Sequence, residues 1–227
     1  MSAHMQTEIA KLKRKVLSLS ALVENRIHQA VKSLHARDGQ LAREVIDGDW
    51  EIDELEVEVE EECLKILALH QPVAGDLRFI AALFKINSDL ERIGDLAVNI
   101  ARKAIPFAGQ TEFRFPFDML ALSRQTESML RDSLDCLVSL DADLARQICA
   151  RDQEINRMKR AFRDQVEDQI RQHPHQLSLL LKLLGAVRNL ERVADLATNI
   201  AEDVVYLVEG TIIRHQGEAA QGPPTDE

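Results

Sequence analysis

Two dodecamers, LERIGDLAVNIA at residues 90–101 and LERVADLATNIA at residues 190–201, agree at 9 of 12 positions and stand 100 residues apart. Agreement of that length over a fixed offset marks an internal duplication, so the chain must fold as two similar units of ordinary domain size. The offset also holds for the apolar residues around the dodecamers. Phe79, Leu83, Ile86, Leu90, Ile93, Ala97, Ile100 and Ala104 recur at alternating spacings of four and three, and Leu179 to Val204 repeat them position for position, with Leu207 beyond. That spacing is the heptad seam of a long helix buried along one side. An upstream segment repeats at an offset of 103: Asp49-Trp50-Glu51-Ile52-Asp53 matches Asp152-Gln153-Glu154-Ile155-Asn156, followed by Leu55 and Val59 against Met158 and Phe162.

With 9 Gly, 6 Pro and few aromatics (Phe 7, Trp 1, Tyr 1) the chain lacks the turn residues of a multi-stranded sheet, and it is rich in helix formers. The pattern predicts a first helix over 5–35, with Leu12, Val16, Leu19, Val23 and Ile27 inside. Asp38-Gly39 then breaks the chain, and a second helix runs from Leu41 to Gln71-Pro72, interrupted on its surface by Gly48. Pro72 is expected to open the third helix, with Asp76 in its first turn at the positive dipole end. Phe117 to Leu140 reads as a fourth helix, Asp141 as the cap of a fifth running to about Gln172, and Pro174 as the start of a sixth. The expected fold is therefore all-α: two tandem antiparallel three-helix bundles, residues 1–108 and 117–209, joined by a breaker-rich linker at 109–116 and followed by a disordered tail at 210–227.

The formal charge of −10 argues against a surface made to neutralise phosphates, so nucleic acid is not an expected partner. Cys63, Cys136 and Cys149 each sit in an apolar helical pattern and read as reduced core thiols. The N-terminus has no apolar signal region, and the most apolar stretch, Leu177 to Val187, is too short to span a bilayer. A cytoplasmic protein without membrane insertion is expected.

In the seam, Leu90, Ile93, Ala97 and Ile100 are packing residues. Glu91, Asp95 and Asn99, at steps of four, fall on the opposite side, and Glu191, Asp195 and Asn199 repeat them. Side chains four apart lie about 5–6 Å apart at Cβ, so each acidic pair can share a cation. Without a cation or a basic neighbour the pair is mildly repulsive. Asp49 and Asp53 form another such pair, which a three-helix bundle can bring beside Glu91 and Asp95; in the second half only Asp152 remains, because Asn156 replaces the second carboxylate. Oxygen-only ligands suit magnesium, manganese or iron, and zinc less typically. The residues by themselves leave a solvated acidic face and a metal site both open. No ferritin-type Glu-x-x-His, nucleophile elbow or phosphate-cradling Gly-rich loop occurs in the chain, so no catalytic residue is assigned.

The paired LER-x-x-DLA-x-NIA motifs, together with Gly48 to Glu56 and Gln71 to Arg78, resemble the PhoU family of bacterial and archaeal regulators of phosphate uptake, over residues from about 5 to 210. The resemblance implies two three-helix bundles side by side and multinuclear iron or zinc clusters on surface acidic motifs. Glu91, Asp95, Glu191 and Asp195 match the ligand positions most securely, with Asp49, Asp53 and Asp152 next and Asn99 and Asn199 as extra ligands or as groups that hydrogen-bond the ligands from behind. It further implies a non-enzymatic adaptor that contacts the ATPase subunit of the phosphate ABC transporter and a sensor histidine kinase, with homodimerisation left open. Two competing expectations are a surface metal-dependent phosphoester hydrolase and a purely structural helical scaffold.

Overall fold

The computed structural model describes residues 3–213. In chain order it consists of α1 (Ala3–Ala36), α2 (Gly39–Asp47), α3 (Trp50–His70), α4 (Ala74–Ala104), a 3-10 turn (Ile105–Phe107), α5 (Met119–Ser139), α6 (Ala142–Gln172), a second 3-10 turn (Pro174–Gln176) and α7 (Leu177–Glu209). The described residues contain no strand.

The seam is the core. Leu83 to Ala104 on α4 and Leu183 to Val204 on α7 are buried at every seam position, and Phe79 and Leu179 at the open ends are half-buried. On α1, Leu12, Val16, Leu19, Val23 and Ile27 are buried in turn. Each fully buried Leu or Ile contributes about 1.5–3 kcal/mol of transfer free energy, which outweighs the weak intrinsic preference of any one helix. In the first half α1 packs on α3 and α4, with α2 laid across α1 and α4; in the second half α7 packs on α5 and α6. The halves join where α4 lies against α7 and α1 against α5, and one continuous hydrophobic core runs through both.

The turns follow local chemistry. Asp38 Oδ1 accepts from the backbone N–H groups of Gln40 and Leu41 at 3.0 Å each, and Asp141 Oδ1 from those of Asp143 and Leu144 at 3.0 and 2.9 Å. Both satisfy orphan donors of a helix N-terminus. Gly210, at φ 74°, ends α7 in the left-handed conformation that glycine adopts without strain.

Several boundaries differ from the sequence expectation. The second helix is two helices, because at Gly48 the Arg26 guanidinium presses onto bare backbone: Nη2 donates to the Gly48 carbonyl at 3.2 Å and to Glu51 at 2.9 Å. A Cβ at Gly48 would stand 2.4 Å from that nitrogen. Pro72 does not open the third helix; it is buried after the left-handed Gln71, and α4 starts at Ala74 with Val73 as its extended cap. The fourth helix starts at Met119, capped by Asp118, because Phe117 is held outside it by stacking on Phe162 at 4.1 Å. Pro174 opens only the short 3-10 turn, after which α7 begins at Leu177. The segment expected as a linker is packed down by a Phe107, Phe113 and Phe115 cluster with ring centroids 5.3 to 5.9 Å apart. Of the tail expected to be disordered, the part after Ile213 lies outside the described residues, while Ile213 itself packs on the core.

Candidate functional site

The acidic residues singled out in the first half come together across α3 and α4. Ile52 on α3 is buried, which turns Asp49 and Asp53, one turn apart, toward the α4 side. Close approach at this level depends on Gly94, whose hypothetical Cβ would lie 2.9 Å from Ile52 Cδ1. Glu91 and Asp95 flank that glycine and meet the α3 carboxylates. Burial, then Asp53 and Asp95, push the Asp49 carboxyl above its ordinary value. Burial, then Asp95, Asp53 and Glu56, do the same to Glu91.

Glu56 is a member the sequence reading missed. Its carboxyl is also raised, by burial and then by Glu60 and Asp53, and it accepts from Asn87 Nδ2 at 3.1 Å. Continuing the Asp49, Asp53 series by three residues along the same helix face would have found it. The ion pairs that α3 makes lie on its other side, where Lys15 meets Glu58, Arg26 meets Glu51 and Lys65 meets Glu62.

In the second half Asp152, Glu191 and Asp195 likewise gather across α6 and α7. Asp195 is pushed up to about 6 by burial and by Glu191 and Asp152, and Asp152 is raised, chiefly by burial. Here the patch carries its own compensation. Lys159, which the 103-residue offset aligns with Glu56, donates to Glu191. Asn156 Nδ2 donates to Asp152 Oδ2 at 2.9 Å.

The two asparagines sit differently from the carboxylates they follow. Asn199 lines a groove between α4 and α7 with Phe84, Lys85, Ser88, Asp89 and Arg92. Each four-residue step overshoots a helical turn by about 40°, so by the second step the side chain has rotated toward the neighbouring bundle. Asn99 is half-buried, and its backbone carbonyl accepts from Lys103 Nζ at 3.4 Å.

Among the described residues no three His, Cys, Asp or Glu side chains close on a common point ready to hold an ion. The first-half patch is a set of neighbouring donors, and its fit to a metal rests on chemistry: carboxylate oxygens alone, of which the half-buried Asp49, Glu56 and Glu91 are raised first by burial and then by mutual repulsion that a hard cation would relieve. The second-half patch fits a metal poorly, because an ammonium already sits on Glu191 and an amide on Asp152.

Burial pushes Cys63 and Cys136 up to about 12 and Cys149 to about 11, so these free thiols are poor nucleophiles. A mostly apolar recess of about 70 Å³ is lined by Val16, Leu17, Phe79, Leu83, Leu137 and Val138, with Lys13 at its wall, its ammonium 5.0 Å from the Phe79 ring centroid. No helix among the described residues is long and apolar enough to cross a membrane.

Fold and site together define a class: a tandem helical-bundle protein that offers long charged helix faces. The family model described as PhoU domain matches twice, at residues 16–104 and 119–204. The phosphate-specific transport system accessory protein PhoU homolog of Pseudomonas putida is 37% identical over 217 residues, 95% of this chain and 85% of that protein. The phosphate-specific transport system accessory protein PhoU of Escherichia coli (strain K12) is 31% identical over 216 residues, 95% of this chain and 90% of that protein. The crystal structure of PhoU from Pseudomonas aeruginosa superposes with a TM-score of 0.87 at 35% identity, covering 91% of this chain and 99% of that one. The structure of the phosphate transport system regulatory protein PhoU from Streptococcus pneumoniae superposes with a TM-score of 0.85 at 27% identity, covering 92% and 99%. The chain belongs to the PhoU family.

Proposed function

We propose that this protein is a cytoplasmic, non-enzymatic accessory protein that restrains phosphate uptake and phosphate-starvation signalling through contacts with the ATPase subunit of the phosphate transporter and with a sensor histidine kinase. The names of its relatives, accessory or regulatory proteins of phosphate transport, support the assignment. Long charged helix faces, and thiols whose pKa values are raised by burial, support a protein that works through its surfaces. Deleting the gene is expected to switch on phosphate-starvation genes in phosphate-rich medium, read by transcript levels; unchanged expression would remove the regulatory reading.

The same reading includes iron or zinc, with manganese or magnesium as alternatives, at the first-half patch, and the observation that carries it is the gathering of Asp49, Asp53, Glu56, Glu91 and Asp95 between α3 and α4. A bound cation would supply the positive charge these carboxylates lack. The carboxylates in turn would tie α3 to α4, stiffening the face a partner meets. Elemental analysis of protein purified without chelator or nickel resin tests this. Wild type and Asp195→Asn are expected to retain metal and Asp95→Asn to lose most of it; metal-free wild type after each ion is supplied would end the metal reading and leave the regulatory one standing.

A further inference from the structure

On α3, Trp50, Val57 and Leu64 recur every seven residues and are 60%, 50% and 53% exposed. The core residues of this helix, Ile52, Val59, Cys63 and Ile66, lie on the opposite side, so the three form an apolar stripe pointing away from the bundle. By the 1.5 Å rise of a helix the stripe is about 21 Å long. Acidic residues frame it at the same spacing of seven: Glu54 and Glu61 along one side, Asp53 and Glu60 along the other. None of these four is in an ion pair, since α3 directs Glu51, Glu58 and Glu62 to its basic partners. At the aligned positions of α6 stand Gln153, Arg160 and Glu167. The duplication therefore kept most of the buried side of this helix, with Ile155, Phe162 and Val166 aligned to Ile52, Val59 and Cys63, and left its outer side apolar in one half alone.

We propose that this face of α3 is a docking surface for a basic amphipathic helix of a partner protein. Such a helix would lay one apolar residue per heptad along Trp50, Val57 and Leu64 and set Lys or Arg against the acidic rows on either side. Charge selects that occupant. A second copy of this chain, formally −10, would bring acidic rows against acidic rows, and an anionic membrane surface would be repelled in the same way. The row of Glu54 and Glu61 lies outside the candidate metal patch, so the proposal requires no metal, and the phosphate-signalling assignment is tested separately by the gene deletion.

Trp50 is the single tryptophan of the chain, so its emission reports directly on the face. The probe is a synthetic 21-residue helical peptide with Leu at every seventh position and flanking Lys, titrated into the full chain. A blue shift of Trp50 emission is expected, with an apparent Kd that weakens at least tenfold between 50 and 500 mM salt. A Glu-flanked peptide, and a Lys-flanked one with Ser for Leu, are expected to give no shift. The double variant Val57→Glu with Leu64→Glu, at exposed positions and checked for helicity by circular dichroism, is expected to bind at least tenfold more weakly, while Arg160→Ala on α6 binds like wild type. Equal response to the Lys- and Glu-flanked peptides, undiminished binding by the double variant, or a blue shift that grows with protein concentration alone would each overturn the proposal, the last by assigning the face to a second copy.

Discussion

At equivalent places in the two halves, α3 presents Asp49, Asp53, Glu56 and Glu60, and α6 presents Asp152, Asn156, Lys159 and Arg163. The helices they face, α4 and α7, keep the same acidic pair, Glu91 with Asp95 and Glu191 with Asp195. One patch is thus carboxylate throughout, whereas the other has recruited an amide and two cations. Lys159 holds Glu191, and Arg163 holds Glu167 at 3.1 Å. The backbones match because the buried seam matches. The chemistry diverges because a solvated face can exchange charges at little cost to folding. Packing tightness follows the same division, since Gly94 lets Ile52 press against α4 where the second half has Ala194.

If compensation by Lys159 and Asn156 is what separates the patches, Asn156→Asp with Lys159→Glu should give the second half a metal site. Bound metal per chain is expected to rise well above wild type by elemental analysis, and to stay raised when Asp95→Asn is added. No gain would mean that charge alone does not distinguish the halves.

A smaller effect tests the packing difference. Gly94→Ala drives a methyl group into Ile52 and is expected to cost about 1–3 kcal/mol, measured by urea unfolding. Ala194→Gly, which only loosens the equivalent crossing, should cost about 0.5–1 kcal/mol. Equal losses would show that the two crossings are equally tight.

The caps sharpen the comparison from the other side, because here the halves agree. Asp38→Ala and Asp141→Ala each remove an oxygen that accepts two backbone N–H groups and should each destabilise by about 1 kcal/mol. A marked inequality would show that the helices behind them differ in how firmly they are held.

The mildest effect depends on pH. In the first half Glu8 is held down to about 2, from an ordinary 4.5, by hydrogen bonds from Lys11 one turn along α1 and from Lys65, which ties α1 to α3. A depressed carboxyl contributes stability that is present above pH 4.5 and is lost as pH falls toward 2. Glu8→Gln should therefore lower Tm slightly at pH 7, with the difference closing by pH 2.

How far the sequence could be read depends on where the constraint lies. The seam residues were legible because burial imposes a period of 3.5 to 3.6, and the capping role of Asp141 because a short oxygen-bearing side chain before an apolar run has few other uses, whereas Asp38 read only as a chain break and its cap emerged in the structure. The acidic pairs were legible within one helix, where a step of four fixes neighbourhood. Asn199 shows the limit of that rule, since its second step carries it round to the α4 groove.

The amino-acid sequence by itself determined an all-helical, duplicated chain, the buried face of each helix and the family, because periodic apolar burial is a property of one helix at a time. Only the tertiary structure decided that the second predicted helix breaks under Arg26, that Glu56 joins the first acidic patch, and that Lys159 pairs with Glu191 in the second. Those outcomes depend on which side chain of one helix reaches which atom of another. That distance is set by packing between elements and is written in no single segment of the sequence.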